Sequence, residues 1–561
     1  MVTKANKPVA AKKTKAKPAG NGLKAFSLHS RNESETPTMR TLNATLGANP
    51  SFNFVGVDAV KDLDPETAAR GFLEHALASE ATPGFAAPKA DATPSEFRSL
   101  GTESIPLTGT RIVKFRQTFN KIPVYGSLVT VELDDSNDLV GINSTLGTPS
   151  GVDPVAKKSP AEALKAVKDY PGHKKNLDGI VPRTYYYYQA ARAKWCLVFI
   201  FEDVPVVPTS KGPSPVLMDY IVDANTGKVI AALPRTPTAV ATETDKDGLG
   251  VARKFEVDLT GNVKTLNVQT FDFKFKDPSV DAQSLPGKPI KNPPKFPPAA
   301  VSAHANAEAV SKFLRQVLKR NNIDNKGGLM KSSINCVDAS DSPDGKEWIN
   351  AFWNGDQMVY GQRHDGTGFL SMSVDLDVVG HEMFHGVTDM TSRLEYALQP
   401  GALNESYSDI FGIIISNFGM ADTRHWNWDI GARLQPNGDP FRNMEKPRLY
   451  GQPDTMKDFK VLPNTPRGDN GGVHTNSGIH NKAAFNVLTS VNAGALVFTP
   501  AESAAIFYLA LTQRLGRTSQ FIDSRNAVLD SARSLFRTLS TAALAVKVSA
   551  IGAAYDAVGI K

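Results

Sequence analysis

The 561-residue sequence reads as an α+β protein of more than one domain. Three observations lead there. Alternating apolar and polar residues, the mark of half-buried strands, concentrate between residues 111 and 233. Apolar residues at helical spacing dominate from about residue 376 to the end. Polar, Pro-punctuated joints separate such stretches, and the chain is too long for one ordinary core.

The elements follow in order. Residues 1–49 open with "MVTKANKPVAAKKTKAKPAGNG", and residues 1–32 hold seven lysines and Arg31 without one acid. Those eight charges exceed the net +6 of the whole chain, so the remainder is near neutral. Residues 1–49 are expected to form a disordered basic tail, having little to bury. No further basic patch interleaved with aromatics follows, which argues against a nucleic-acid partner. Residues 50–150 end in "SLVTVEL", "DDSND" and "LVGINS", a hairpin with a polar turn. In 151–235 a joint, "SGVDPVAKKSP", precedes the helical "AEALKAVKDY" and the strands "TYYYYQ", "AKWCLVFIFED" and "VLMDYIVDANTGKVIAAL". That is a second small α+β unit. The stretch "PRTPTAVATETDKDG" (234–248) is polar and loop-like, a domain boundary and a protease-sensitive linker. Residues 236–390 contain a Pro/Lys-rich loop (285–298) and the helical "AAVSAHANAEAVSKFLRQVLKR", and 391–561 read as mainly helical.

Several classes are excluded. No apolar run approaches the length that crosses a bilayer. Two cysteines, Cys196 and Cys336, make no disulfide framework, and no Cys-x-x-Cys pair occurs. The basic start is not followed by the apolar core of a secretory signal.

The chemistry begins at "VVGHEMFHGVTD" (378–389). His381 and His385, one helical turn apart, project from one face and can share a metal ion. Glu382 points past that ion, where it can take a proton from a metal-activated water. A third ligand is available in "GALNESYSDIFG" (401–412): Glu405, with Asp409 one turn later and Asn404 beside it to receive the far N–H of a ligand histidine. In "GDNGGVHTNSGIHNKAAF" (468–485), His474 sits at a helix start with Asp469 to orient it, suited to an oxyanion formed at a carbonyl. His480 carries no assigned role. From the residues alone, two satisfied histidines, two exposed helix acids and an idle loop histidine would also fit these patterns.

With "NAFWNGDQMVYG" (350–361) and "FYLALTQRL" (507–515), these motifs resemble, in order and spacing, the thermolysin family of neutral zinc metallopeptidases, from about residue 240 to the end. Residues 50–233 resemble that family's propeptide, which assists folding and inhibits the enzyme until removed. The resemblance implies a β-rich lobe and a helical lobe joined by the zinc helix, with polypeptide substrate in the cleft between them. It implies His381, His385 and Glu405 as zinc ligands, Glu382 as general base, and Tyr396 and His474 as oxyanion donors. Asp469 would orient His474, and Asn404 and Asp409 would support the ligand histidines. Asn350, the Ala351 backbone and Arg442 would hold the substrate main chain. Phe369, Met372, Val378, Ile430, Leu434 and Phe441 would form an apolar pocket for the residue after the scissile bond. A monomeric endopeptidase zymogen is expected, inhibited by its own propeptide. The alternative is an inactive, zinc-binding relative acting as inhibitor or scaffold. The resemblance also implies export, but with no signal visible an intracellular place stays open. Where the family binds paired calcium ions, Asp377 survives, but Ser416, Asn427 and Ala432 stand at acid positions and Asp429 alone remains beyond the helix. The double site is expected to be absent, with at most one weak calcium ion and packing by Trp426, Trp428 and Ile430 in its place.

Overall fold

The structure, a computed structural model, describes residues 22–29, 64–78, 87–169, 177, 179–189, 192–205, 217–235, 242–256, 268–278, 280, 285–290 and 296–561 apart from 356, 367 and 436. Two α+β units precede a larger two-lobed region, and isolated two-residue ribbons are left aside below.

The first unit is an antiparallel sheet under one helix. Its strands are β1 (Leu23–His29), β2 (Glu96–Ile105), β3 (Thr110–Phe119), β4 (Leu128–Leu133) and β5 (Leu139–Gly147), in the order β1-β5-β4-β3-β2, with helix α1 (Pro65–Ala78) on one face. Strand alternation divides its side chains. Val113, Phe115, Val129, Val131 and Leu133 pack with Phe72 and Leu73 of α1. Thr110, Ile112 and Glu132 face the other way. The polar β4–β5 turn forms as expected, with Asp134 Oδ1 accepting the Ser136 and Asp138 N–H groups.

One expectation is corrected here. The basic tail was to run to residue 49, but Leu23–His29 is the edge strand β1, paired with β5 from Leu23↔Gly147 to His29↔Gly141. The segment "LKAFSLH" alternates: Phe26 and Leu28 pack toward α1, while Ser27 and His29 turn to Asp530 and Ser534 near the C-terminal end of the chain. Ser27 and His29 are covered by a distant part of the chain, so local composition did not reveal the strand.

The second unit is the antiparallel sheet β9-β8-β7-β6, made of β6 (Arg183–Gln189), β7 (Lys194–Pro205), β8 (Leu217–Asp223) and β9 (Val229–Arg235). Helix α2 (Pro160–Lys168) packs on it through Ala163 and Val167 and starts with a reciprocal Ser159/Glu162 cap. The linker reading is corrected in part. Residues 236–241 lie outside the described residues, but Thr242–Lys246 is a strand paired with Ala252–Glu256. The hairpin closes on Asp247, whose Oδ1 accepts the Leu249 and Val251 N–H groups, and Gly248 N–H donates to Ser302 Oγ. Tertiary anchoring overrides a polar, loop-like composition.

The β-rich lobe is a mixed sheet of β10 (Val268–Lys276), β11 (Lys288–Pro289), β12 (Met330–Cys336), β13 (Trp348–Trp353), β14 (Met358–His364) and β15 (Phe369–Ser371). The order is β11-β10-β12-β14-β13, with β15 also on β14, so among the described residues β13 has one free edge. Helix α3 (Pro298–Gln316) covers one face. Then follow α4 (Leu376–Asp389), α5 (Leu398–Asn417), α6 (Asp469–Leu488), α7 (Pro500–Leu509), α8 (Phe521–Leu535) and α9 (Thr541–Ala557). One apolar core runs unbroken from α3 and the sheet through α4 and α5 into the last helices. No helix among the described residues is long and apolar enough to cross a membrane. Both thiols are free and buried.

Helices α4 and α5 cross unusually close because glycines face each other. A Cβ on Gly412 would lie 2.4 Å from the Asp377 carbonyl oxygen, and one on Gly380 would lie 3.1 Å from the Gly412 Cα. One step along, Phe384 and Phe411 stack with ring centroids 3.9 Å apart. Gly412→Ala is therefore expected to cost about 1–3 kcal/mol, the usual range for overpacking, as read by denaturant unfolding. An unchanged midpoint would show that the helices do not need this approach.

Candidate active site and metal centre

Close crossing of α4 and α5 brings three donors together. His381 and His385 lie on the inner face of α4, and Glu405 faces them from α5. The two Nε2 atoms are 3.1 Å apart, and the Glu405 carboxylate oxygens lie 3.6 Å from His381 Nε2 and 3.4 Å from His385 Nε2. Among the described residues this is the one His/Cys/Asp/Glu group of metal-holding geometry.

The outer nitrogens are pinned. His381 Nδ1 donates to Asp409 at 2.7 Å, and His385 Nδ1 to Asn404 Oδ1 at 2.8 Å, with Ser408 Oγ at 3.1 Å. With the ring protons held there, the Nε2 lone pairs face one another. Beside them Glu405 Oε2 is buried with no hydrogen-bond partner. Two lone pairs converging on the unpartnered Glu405 Oε2 repel unless a cation joins them, so the donor set fits a zinc ion with one open position. Ionisation agrees. Burial pushes His385 down to about 4. Burial would raise Glu405, but His474, His385, His381 and Arg442 outweigh it and hold the carboxylate at about 2. Neutral imidazole and ionised carboxylate are the forms that bind metal.

The centre opens into a cleft of about 600 Å³ between the lobes. Glu382 lines it, and its Oε2 accepts the Trp353 N–H at 3.1 Å. Burial, followed by the nearby Glu405 charge, raises its pKa to about 7, toward the value a general base needs. Across the cleft, His474 Nε2 lies 3.1 Å from the Tyr396 hydroxyl, and His474 Nδ1 donates to Asp469 at 2.6 Å. Tyr396 also donates to Glu405, and burial keeps its hydroxyl protonated by raising its pKa well above 10. Asn470, Gly471 and Gly472 turn the chain through φ of 46°, 86° and 86°, and so set His474 at the cleft mouth. The cleft position disfavours a charged ring, but Glu405 and Asp469 outweigh that and push His474 up to about 9.

Most sequence-predicted residues meet here. Asn350, Ala351, Met372, Val378, Ile430, Leu434, Phe441 and Arg442 all line the cleft. Arg442 forms a fork on Asp409, at 2.9 and 2.7 Å, behind His381. Phe369 is the exception and does not line the cleft. It stands opposite His364 in the β14–β15 pair and packs on that ring, with centroids 4.4 Å apart, and on Phe275. Its neighbour Leu370 alternates to the other face, and the chain turns inward only at Met372. His480 is a core residue, bonded to Ser406, Ser524 and Tyr555. Sequence reasoning missed Ser408 and the Trp353 N–H. Ser408 was within reach, since 404, 405, 408 and 409 share one helix face; a backbone donor leaves no sequence signal.

Comparison with known proteins decides the family. Residues 252–389 match the model described as "Thermolysin metallopeptidase, catalytic domain", 392–560 match its "alpha-helical domain", and 95–146 match the "Fungalysin/Thermolysin Propeptide Motif". Bacillolysin of Bacillus amyloliquefaciens is 32% identical over 474 residues, covering 82% of this chain and 86% of that protein. The chain belongs to the thermolysin family. Neutral protease NprE of Bacillus pumilus is 42% identical over 254 residues, 45% of this chain and 77% of that one. The precursor of protealysin from Serratia proteamaculans, a solved structure, is 28% identical with a TM-score of 0.44, covering 54% of this chain and 90% of that one. This member of the thermolysin family is a metalloendopeptidase with a propeptide, and its two-lobed α+β architecture is the one the motifs implied.

A pH test follows for His474. Asp469 favours the charged ring, and that form is lost as pH rises through its pKa. Asp469→Asn should therefore move the alkaline limb of the kcat/KM profile to lower pH. An unmoved limb would remove His474 from that limb.

Proposed function

We propose that this metalloendopeptidase uses one zinc ion, is made as a self-inhibited zymogen, and cuts on the N-terminal side of apolar residues. The observation that carries this reading is the paired Nε2 lone pairs beside the unpartnered Glu405 oxygen. When bound, zinc would supply an activated water and polarise the scissile carbonyl. His381, His385 and Glu405 would hold it, with Asp409 and Asn404 fixing the rings. Glu382 takes the water's proton and passes it to the leaving nitrogen. Tyr396 and His474 donate to the oxygen that gains charge, and Asp469 holds His474 in register. The free edge of β13, with Asn350 and Ala351, and the Arg442 guanidinium would seat the substrate main chain.

The pocket formed by Met372, Val378, Ile430, Leu434 and Phe441 supports the apolar preference, each buried side chain contributing roughly 1.5–3 kcal/mol. We take the active species to be a monomer freed by cleavage in the linker, with the propeptide as its inhibitor. The inactive-relative alternative loses ground because Glu382, Tyr396 and His474 all converge on the proposed centre.

Casein digestion tests the reading. The wild type should cut before Leu, Ile and Phe, and a zinc chelator should stop it. Glu382→Gln should keep one zinc per chain and lose about 10²–10⁴-fold in rate or more. Near-normal turnover in that variant, or cuts mainly before charged residues, would contradict the assignment.

Calcium should matter little. Arg433 places its guanidinium on buried Asp375, and Asp377 already accepts the Gly431 N–H at 2.9 Å. The loop is packed by buried Trp426, Trp428 and Ile430, with Trp428 edge-on to Phe485 at 4.8 Å. The melting temperature should move little between millimolar calcium and a calcium-selective chelator. A large calcium-dependent rise would overturn this.

A further inference from the structure

Arg517 lies between the helical lobe and the propeptide and touches both. Its main-chain carbonyl accepts the Glu395 N–H at 2.8 Å. Glu395 is joined directly to Tyr396, one of the two oxyanion donors. The guanidinium turns the other way. It donates to Glu202 at 2.7 Å and to the Tyr125 hydroxyl at 3.0 Å, and lies 3.4 Å from Asp219. It also sits over the Tyr125 ring, 5.2 Å from the centroid.

A second arginine repeats the contact. Arg393 is 3.9 Å from Glu202 and 3.8 Å from Asp219. Leu394 and Tyr396, on the same short segment, line the cleft. The segment from Arg393 to Tyr396 therefore faces the reaction centre in front and is gripped from behind by propeptide acids on β7 and β8. Asp219 is 3% exposed, so these charges meet in a largely desolvated junction, where losing one side leaves the other poorly compensated. A separate contact holds the propeptide elsewhere: Arg514 pairs with Glu132 of β4 at 2.6 Å, both side chains at most 2% exposed, and Ser534 donates to the same carboxylate.

We infer that Arg517 is a positioning residue through which the docked propeptide restrains Tyr396 and so slows turnover, independently of whether the cleft is filled. The inference rests on the zymogen reading above. An oxyanion donor works only when its hydroxyl reaches the developing charge within a fraction of an ångström. Every hydrogen-bond acceptor of the Arg517 guanidinium recorded among the described residues belongs to the propeptide. Its departure frees Arg517, Arg393 and Glu395 together, and with them the segment that carries Tyr396.

The test uses the full chain cut at the linker, with the propeptide still docked, and a short peptide substrate. Docked wild type should show a kcat about tenfold below that of the same enzyme freed of its propeptide. Changing only the propeptide, by Glu202→Gln with Asp219→Asn, should restore most of that kcat while size-exclusion shows both pieces co-eluting through Glu132 and Arg514. Should that pair of changes release the propeptide, Tyr125→Phe, which keeps the ion pairs, should restore part of it. In a Tyr396→Phe enzyme, docking should alter kcat less than about twofold. Equal kcat for docked and free wild type would overturn the inference. So would a depression that persists in every propeptide variant or in Tyr396→Phe, or wild-type pieces that separate on cutting. A freed enzyme that hydrolyses no peptide would overturn the protease reading itself, and the coupling with it.

Discussion

The site depends on how closely α4 and α5 approach. Neither helix alone holds a metal centre: α4 supplies two imidazoles and the Glu382 carboxylate, α5 the Glu405 carboxylate and the groups that pin the imidazoles. Gly380 and Gly412 remove the side chains that would keep the axes apart, and Phe384 on Phe411 fills the space beyond them. At that spacing Glu405 reaches both Nε2 atoms while Asp409 reaches the far side of His381. The arrangement is costly without a partner, because lone pairs and a carboxylate are buried facing one another. A cation offsets that cost, which makes metal binding part of the stability of this core.

Much of this was legible in the sequence, for identifiable reasons. Helical ligand spacing is a local property, so His381, Glu382 and His385 announce themselves within five residues, and Asn404, Glu405 and Asp409 within six. Local signals also mark helix α2, capped by Ser159 and Glu162, and the β8–β9 turn, where Asp223 Oδ1 accepts the Asn225 and Thr226 N–H groups. What escaped depends on distant packing. Strand β1 sits in a Lys-rich stretch and hides Ser27 and His29 against α8. Strand β12 buries Ser332 and Ser333, so apolar alternation fails there. Phe369 was misplaced because position along the chain does not say which face of β15 a ring occupies. The Trp353 N–H that holds Glu382 is backbone and leaves no mark in the residue type.

The propeptide shows the same division between local pattern and remote burial. One face of its first sheet makes an ordinary apolar core with α1, while the opposite face carries Thr110, Glu132, Ser27 and His29 into the catalytic region. A strand can alternate between apolar core and polar interface only if something covers the polar face. Glu132 illustrates it, a fully buried carboxylate answered by Arg514 and Ser534 some four hundred residues away in the chain. Inhibition by the propeptide becomes intelligible as a consequence of that shared surface.

The account stands on one claim, that His381, His385 and Glu405 together hold a single zinc ion with one position left open. X-ray absorption at the zinc edge on the purified chain tests it most directly. The account predicts two imidazole nitrogens and a carboxylate oxygen at about 2.0–2.2 Å, one further non-protein oxygen, and no sulfur. Sulfur ligation, or a zinc bound by fewer than two imidazoles, would contradict it.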